Sequence, residues 1–481
     1  MIIGSNTFLI FIALTLLGYH LLPGRRPKYT FLLLASWIFY AWLSPGYLWV
    51  ILALTAIDYF VGKRIEATDD ERSRKRWLAL SVVSNLALLA TFKYTTFLFD
   101  NGVVLGRWCG FAIDDRRWDI LLPLGISFHT FQGISYTIDV YRKQIRAVRS
   151  PLDYALFVAF FPQLAAGPIV RAVEFLPQMA TPPKVTAEQI ADGLRLFVCG
   201  LFKKLFIADQ LHALFVEPVF ANPAAFDAST QRWAAIAWAV QIYCDFSGYT
   251  DMAIGIAKWF GFNLPANFKL PYLATSITDF WRRWHISLST WLRDYLYFPL
   301  GGSRGSGIRT YANLMLVFVL CGLWHGAAWH WLVYGAYNGV LMCLHRVFDR
   351  AFLDAVWRTS LWWTLIARVA TLYQLLFGLV LIRMIDWNSG GIIMRSLLGG
   401  TWEATSTHTL AATTWGMPLP VPILLALGLA GHLADRLKAN RVVERLAGSG
   451  DWLRGFGYAA AVVMLVTLSP GVGKSFIYIA F

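Results

Sequence analysis

Apolar segments recur along the whole chain, and their length limits what the chain can fold into. Several approach the roughly 20 residues that a helix needs to cross a bilayer. Charged residues make up only 15% of the sequence, whereas a soluble domain carries about 25%. We therefore predict an all-α polytopic membrane protein with roughly ten or more spanning helices, rather than a soluble protein with a large core. The clearest spans are residues 2–22, 77–99, 361–384, 421–433 and 458–479.

The distribution of basic residues predicts how the chain is oriented in the membrane. The net charge is +14, which in a soluble protein would suggest a nucleic-acid partner. Here the basic residues cluster in short loops that alternate with non-basic loops, and basic loops are typical of the cytoplasmic side. We therefore expect contacts with membrane lipid, no nucleic-acid partner, and both termini in the periplasm. The predicted inner loops are 25–28, 63–76, 142–149 and 436–454, and the predicted outer loops include 44–46 and 100–119.

The chain is predicted to form a single membrane domain, residues 1–481, because no linker, repeat or low-complexity tract divides it. Its middle part is the predicted catalytic core. The three parts are residues 1–150 with ordinary spanning helices, 151–349 with the core, and 350–481 with closing helices and a longer outer segment at 387–417.

The predicted core contains irregular and polar stretches within apolar sequence. "FFPQLAAGPIVR" interrupts one apolar run with glycine and proline, and "QIYCDFSGYTDMAIG" places Asp245 and Asp251 inside another. Irregular backbone at membrane depth requires surrounding protein or a water-filled cavity, and ionisable groups there are functional candidates.

The stretch "DFWRRWHISLSTWLRDYLYFPLGG", residues 279–302, has the pattern of an amphipathic element at a membrane interface. Interpreted as one helix over 280–300, it has an aromatic side that includes His285 and a basic side. For His285, the alternative is a core-facing histidine whose ring nitrogens are satisfied. For the arginines, the alternative is anchoring to lipid headgroups. The aromatic side comprises Trp281, Trp284, His285, Leu288, Trp291, Leu292 and Tyr295, and the arginines are Arg282, Arg283 and Arg293.

A second histidine, His325, lies in "LCGLWHGAAWHWLVYGAYNG". The apolar run before it, residues 311–323, would span about 20 Å as a helix, whereas the hydrocarbon core is about 30 Å thick. His325 is therefore predicted to lie partway through the membrane, at a break flanked by Gly322 and Gly326. The alternative is a hydrogen bond that only packs two helices together.

Two membrane-associated histidines suit general-base chemistry. Imidazole titrates near neutrality, so it can take a proton from an attacking hydroxyl and return it to a leaving thiol. A metal site formed by His285 and His325 would lack nearby acidic ligands. The five cysteines include no CxxC pair, so we expect no metal site and no disulfide framework.

These stretches together resemble the membrane-bound O-acyltransferase family, and in particular its bacterial branch. That branch includes the membrane subunit of alginate O-acetylation. "LPLGISFHTFQGISYTIDVYR" adds to the resemblance, which covers essentially the whole chain. It implies many helices around a funnel that reaches into the membrane from both faces, with re-entrant or interfacial helices. It also implies that His325 is the main catalytic residue and that His285 is the second.

The resemblance further implies the substrates and the location. Acetyl-CoA is the expected donor, bound from the cytoplasm, with no tightly bound cofactor, in the bacterial inner membrane. The expected recipient is an SGNH-type periplasmic acetyltransferase or the exopolysaccharide itself. The alternatives are D-alanyl transfer from a carrier protein to teichoic acid, a non-catalytic glycan or lipid transporter, and a structural subunit. Candidate donor-binding residues are Arg282, Arg283, Arg293, Trp281, Trp284, Trp324, Asp245 and Asp251, the arginines because guanidinium binds phosphate in bidentate fashion.

Overall fold

The computed structural model describes residues 3, 5–113, 122–123, 125–164, 167–180, 185–352, 354–401, 418 and 420–434. Its α-helices are α1 Asn6–Leu21, α2 Arg25–Leu43, α3 Leu48–Glu66, α4 Glu71–Leu89, α5 Thr95–Trp108, α6 Ile126–Tyr141, α7 Pro151–Ala159, α8 Phe161–Leu164, α9 Ala172–Met179, α10 Ala187–Leu201, α11 Asp209–Leu211, α12 Glu217–Ala221, α13 Ala228–Trp259, α14 Ile277–Trp281, α15 Ile286–Leu292, α16 Gly307–His325, α17 Trp329–Ala351, α18 Leu361–Arg383, α19 Trp387–Leu397 and α20 Pro420–Ala434. Wider π-helical turns occur at Ala90–Tyr94, Phe202–Ala208, His212–Val216 and Arg293–Tyr297.

Polar side chains begin several of the long helices. The carboxylate of Asp227 accepts hydrogen bonds from the first backbone amides of α13, and the hydroxyl of Ser306 accepts one from Arg309 in α16. Ser360 caps α18 in the same way. A helix begins with backbone N–H groups that have no partner within the helix, so these caps determine where each helix starts.

Two helix pairs position the site. The 32-residue helix α13 packs along α10 in the middle of the fold. Helices α16 and α17 form an antiparallel hairpin, in which Gly322 lies against the backbone of Trp331. A Cβ atom at Gly322 would lie 2.2 Å from the carbonyl oxygen of Trp331, so only glycine allows this approach. The hairpin therefore holds His325, the last residue of α16, close to the start of α17.

The described helices confirm most of the predicted apolar spans. Three continuous helical stretches are long and apolar enough to cross a membrane, and two shorter apolar helices accompany them. The predicted span 458–479 and the predicted inner loop 436–454 lie outside the described residues, and the number of spans remains a prediction. The three long helical stretches are Glu71–Trp108, Gly307–His325 and Leu361–Arg383, and the two shorter apolar helices are Asn6–Leu21 and Pro420–His432.

Two predictions of local structure are wrong. The stretch 280–300 is not one helix, because α14 ends at Trp281 and α15 starts at Ile286, with a turn between them. The chain reverses its local handedness at His285, whose φ is 43°, and a left-handed residue cannot continue an α-helix. Residues 100–108, assigned to an outer loop, instead extend α5.

Candidate active site

His325 is buried at the end of α16, where the helix stops. Gly326 follows in an extended conformation, and α17 begins only at Trp329. The His325 side chain is 5% exposed, and its ring stacks on that of Trp331 with centroids 5.4 Å apart. The predicted break next to His325 is therefore present, and it holds the imidazole against an aromatic ring.

His285 lies between α14 and α15, 40 residues before His325 in sequence. The two imidazole rings are 6.4 Å apart between centroids, and His285 is 1% exposed. Its left-handed backbone is uncommon for a residue other than glycine and costs of order 1–3 kcal/mol. Such strain persists only where surrounding contacts impose it, and it occurs often at functional sites.

Asn267, which the sequence analysis did not identify, holds His285 in place. Its backbone carbonyl accepts the N–H of Ile286, and its side-chain oxygen accepts the N–H of Ser287 at 3.1 Å. The same oxygen lies 2.9 Å from the Ser287 hydroxyl and 3.2 Å from Nδ1 of His285. Because an oxygen of this kind can only accept, Nδ1 of His285 must carry the proton and Nε2 is the basic nitrogen.

Lys93 and Tyr94, also missed from the sequence, bind the end of α16. The ammonium of Lys93 donates to the carbonyls of Trp324 at 2.5 Å and His325 at 2.9 Å, and the Tyr94 hydroxyl donates to that of Leu323. The last carbonyls of a helix have no partner within it and carry partial negative charge, so a cation there is favourable. The sequence feature that could have identified Lys93 is that it is the single lysine inside the apolar run 77–99, since charged residues within such runs are functional candidates.

We expect Lys93→Met to lower the acyl transfer that the family resemblance implies by about ten- to a hundredfold, since displacing a catalytic group by about 1 Å has effects of this size. The methionine would keep the apolar stem but leave two helix-end carbonyls without their donor. Initial rates in purified membranes would measure the loss, with Lys93→Arg as the control that keeps the charge. Full activity of Lys93→Met would show that the cap does not position His325.

An aromatic stack connects the two histidine-bearing segments. The rings of Phe131 and Trp291 are parallel with centroids 3.8 Å apart, and Trp324 lies 5.1 Å beyond Phe131. The indole N–H of Trp291 also donates to the backbone carbonyl of Phe131. Helix α6 therefore acts as a rigid wall beside His325, and Trp324 belongs to that wall.

The other two tryptophans of the predicted site have separate environments. Trp284 is buried among aromatic rings, including Phe268 and Tyr272, on the side of α13. Trp281 is 7% exposed, packs on Phe318 and lines a cavity beside α16. Of the two, Trp281 is therefore the one placed to contact a ligand in that cavity.

The cavity has a volume of about 430 Å³ and lies between the 281–297 segment and α16. Apolar side chains form most of its wall, and Cys321, one helical turn before His325, is part of it. Arg282 and Arg293 are the two arginines that line it. The cavity therefore has an apolar interior beside α16, the helix that ends at His325, and positive charge in its wall.

The three predicted arginines are thus not equivalent. Arg283 forms an ion pair with Asp279 at 2.8 Å, and its carbonyl accepts the N–H of Lys269. Arg293 pairs with its neighbour Asp294, but its side chain is 54% exposed. Partial burial raises the pKa of the Asp294 carboxyl, but hydrogen bonds from Arg293 and Arg171 outweigh this effect, so the pKa lies below its usual value.

The carboxylates of Asp245 and Asp251 form ion pairs with lysines. Asp245 lies 2.6 Å from the ammonium of Lys204, and Asp251 lies 2.7 Å from that of Lys203. Both lysines belong to the π-helical turn after α10, so the pairs connect that turn to α13. This placement favours a structural role for both aspartates over donor binding.

Within the described ranges, no three His, Cys, Asp or Glu side chains are grouped so that they could hold a metal ion.

Comparison with known proteins identifies the family. The family model of the membrane-bound O-acyltransferase family matches residues 32–384. The probable alginate O-acetylase AlgI of Pseudomonas aeruginosa is 40% identical over 438 residues, which cover 89% of this chain and 81% of that protein. The peptidoglycan O-acetyltransferase of Helicobacter pylori is 38% identical over 371 residues, which cover 71% of this chain and 69% of that protein.

A more distant relative transfers a different acyl group. The teichoic acid D-alanyltransferase of Bacillus subtilis is 31% identical over 268 residues, which cover 53% of this chain and 67% of that protein. The match of the family model to most of the chain and the 40% identity to an alginate O-acetylase lead to one conclusion. This chain belongs to the membrane-bound O-acyltransferase family and is a multi-pass membrane O-acyltransferase.

Proposed function

We propose that this chain transfers acetyl groups from cytoplasmic acetyl-CoA across the inner membrane, for O-acetylation of an exported polysaccharide such as alginate. The observation that carries the proposal is the histidine pair, 6.4 Å apart, next to a cavity with arginines in its wall. The similarity to alginate O-acetylases over most of the chain supports the choice of acetyl group and polymer.

One contact between two basic segments supports this orientation. Arg142, in a predicted inner loop, donates to the backbone carbonyl of Asp294, next to Arg293. The positive-inside rule places Arg142 in the cytoplasm. Arg293 then lies on the cytoplasmic side as well, whereas His325 lies at the opposite end of α16 from Gly307, 18 residues or about 27 Å along the helix. The donor would thus bind from inside, and the acyl group would leave toward the periplasm.

The composition of two neighbouring cavities supports a coenzyme A thioester as the donor. The apolar cavity would hold the acyl end and its flexible arm. A second, more polar cavity of about 530 Å³ shares Thr278 and Arg282 with the first, and it is also lined by Arg358 and His345. A donor with an apolar arm and a phosphate-bearing head therefore has space for both parts. Arg282, which lines both cavities, would bind phosphate between them.

The transfer replaces the thioester bond of the donor with an oxygen ester bond on the acceptor. The acceptor hydroxyl oxygen attacks the thioester carbon while the imidazole of His325 takes its proton. The C–O bond forms, the C–S bond breaks, and the proton passes to the departing thiolate. Burial of both histidines excludes water, which protects the thioester and strengthens the interactions with the charge that develops on oxygen.

The direct test uses purified protein in sealed vesicles and acetyl-CoA labelled in the acetyl group. We expect label to reach an oligosaccharide acceptor, alone or through an added SGNH-type partner, only when donor and acceptor are on opposite sides. Label that stays on coenzyme A in every arrangement would contradict the proposal.

Removing the cavity arginines tests the donor site separately. We expect the double variant Arg282→Gln/Arg293→Gln to raise KM for acetyl-CoA by about tenfold or more with little change in kcat, since each charge-assisted hydrogen bond contributes about 1.5–3 kcal/mol. Arg304→Gln, an exposed change on the following turn, is the matched control. An unchanged KM would assign the two arginines to lipid headgroups instead.

D-alanyl transfer from a carrier protein is the second candidate, favoured by the similarity to the Bacillus subtilis enzyme. A carrier would bring its thioester on a phosphopantetheine arm and would not need the polar cavity. Activity with a D-alanyl carrier but not with acetyl-CoA, in the same vesicles, would decide for this function.

A further inference from the structure

The amide group of Asn267 has a fixed orientation and a donor that is still available. Asn267 is 1% exposed, and its side-chain oxygen faces the backbone N–H of Ser287, which can only donate. The nitrogen, Nδ2, must therefore be on the other side of the amide. Within the described parts of the chain, Nδ2 has no hydrogen-bond partner.

A buried amide donor without a partner is uncommon. Leaving one unsatisfied costs about 1–3 kcal/mol, so such groups in native proteins require an explanation. Asn267 is also held firmly, since its carbonyl accepts the N–H of Ile286 and the Ser287 hydroxyl in turn accepts the N–H of Ile169 at 3.0 Å. The amide that carries this donor contacts His285 through its oxygen, and a donor that is rigid and buried is suited to stabilise a negative charge that appears only during reaction.

We propose that Nδ2 of Asn267 donates a hydrogen bond to the acyl carbonyl oxygen during transfer, while Oδ1 keeps His285 protonated on Nδ1. This inference rests on the acyl-transfer function proposed above. As the acceptor oxygen attacks, the carbonyl electron pair moves onto the acyl oxygen, and the Asn267 N–H binds it. When the pair returns to re-form the carbonyl, the C–S bond breaks, and Asn267 neither gains nor loses a proton.

Asn267→Asp separates the two roles of the side chain. A carboxylate of the same shape can accept from Ser287 and His285 as before, but it has no N–H to donate. We expect kcat to fall about 10²–10³-fold, as when one oxyanion donor is removed, with KM for the donor changed by less than about threefold. Asn263→Asp adds the same charge to the same segment at an exposed position and should leave the rate unchanged.

A pH series on the full-length protein distinguishes a lost donor from an altered histidine. If the new carboxylate acts only by changing the basicity of His285, the loss of kcat relative to wild type will become smaller at the acidic or at the alkaline end of the pH series. If the N–H of Asn267 is required, the loss of kcat persists at every pH of the series. Activity of Asn267→Asp within about threefold of wild type would overturn the proposal and leave Asn267 as a residue that only orients His285.

The test does not depend on the identity of the donor. Base-labile acyl ester in the envelope of cells that express each variant is measured in parallel, because cells supply their own donor and acceptor. A wild-type chain that is active in cells but inactive with acetyl-CoA would reject the proposed donor. The ratio of Asn267→Asp to wild type in those cells would still decide on Asn267. Asn267→Ala, which removes both roles, should lose at least as much as Asn267→Asp, and an active Asn267→Ala would overturn the inference.

Discussion

His325→Ala is expected to abolish acyl transfer while leaving the protein folded. Without the imidazole, the acceptor hydroxyl has no base at the end of α16, and general-base catalysis alone accounts for about 10²–10⁴ in rate. The structural change is small, because His325 is the last residue of its helix and Gly326 ends the helix whatever side chain precedes it. The lost contacts include the ring stack on Trp331 and the edge contact with Trp324.

Polymer-bound acetyl ester and the amount of protein in the membrane would both be measured. His330→Ala is the matched control, since His330 also lies against Trp331, with ring centroids 5.7 Å apart, but on the half-buried face of α17. His285→Ala should reduce the rate, with some activity remaining. Normal acetylation by His325→Ala would remove this residue from the mechanism and would favour a transporter or a structural subunit.

Lys204→Met is expected to destabilise the fold by about 3–5 kcal/mol, the range seen when one partner of a buried ion pair is removed. The ammonium of Lys204 is 3% exposed and binds two carboxylates, Asp209 at 2.8 Å and Asp245 at 2.6 Å. The methionine would fill similar space but leave both acids buried without their cation. The attachment of the π-helical turn that carries Lys204 to α13 would then be weakened.

Thermal unfolding in detergent, followed as the loss of monodisperse protein, would measure this effect. Lys203→Met is the control, because among the described residues Lys203 forms an ion pair with one carboxylate, Asp251, and that pair is partly exposed, so the loss should be smaller. Adding Asp245→Asn to Lys204→Met should recover part of the stability. A Lys204→Met protein as stable as wild type would show that Asp245 is not held mainly by this pair, and its predicted role in donor binding would regain support.

The spanning helices were predictable because each is determined by its own sequence. A run of apolar residues near the length of the bilayer becomes a helix since the backbone must satisfy its hydrogen bonds internally. The boundaries of α18, 361–383, differ from the predicted 361–384 by one residue. The one large error concerned 280–300, where helical spacing correctly predicted the buried side but not the turn.

The helical spacing over 280–300 predicted the buried side correctly for a physical reason. Helices α14 and α15 each keep the local spacing of 3.6 residues, so the aromatic side stays buried on both sides of the break. His285 itself is buried as expected, yet its left-handed backbone could not be predicted from spacing. Asn267 contacts His285 across 18 residues of sequence, and helical periodicity carries no information about such a contact.

The sequence by itself determined the class of the protein, its helices, and the two histidines, because hydrophobic length and local motifs act over short distances along the chain. Only the tertiary structure showed which side chains hold those histidines. Lys93 reaches the end of α16 across 231 residues, and Asn267 sets which nitrogen of His285 is basic. Both contacts depend on hydrogen-bond geometry between distant segments, which exists only once the helices have packed.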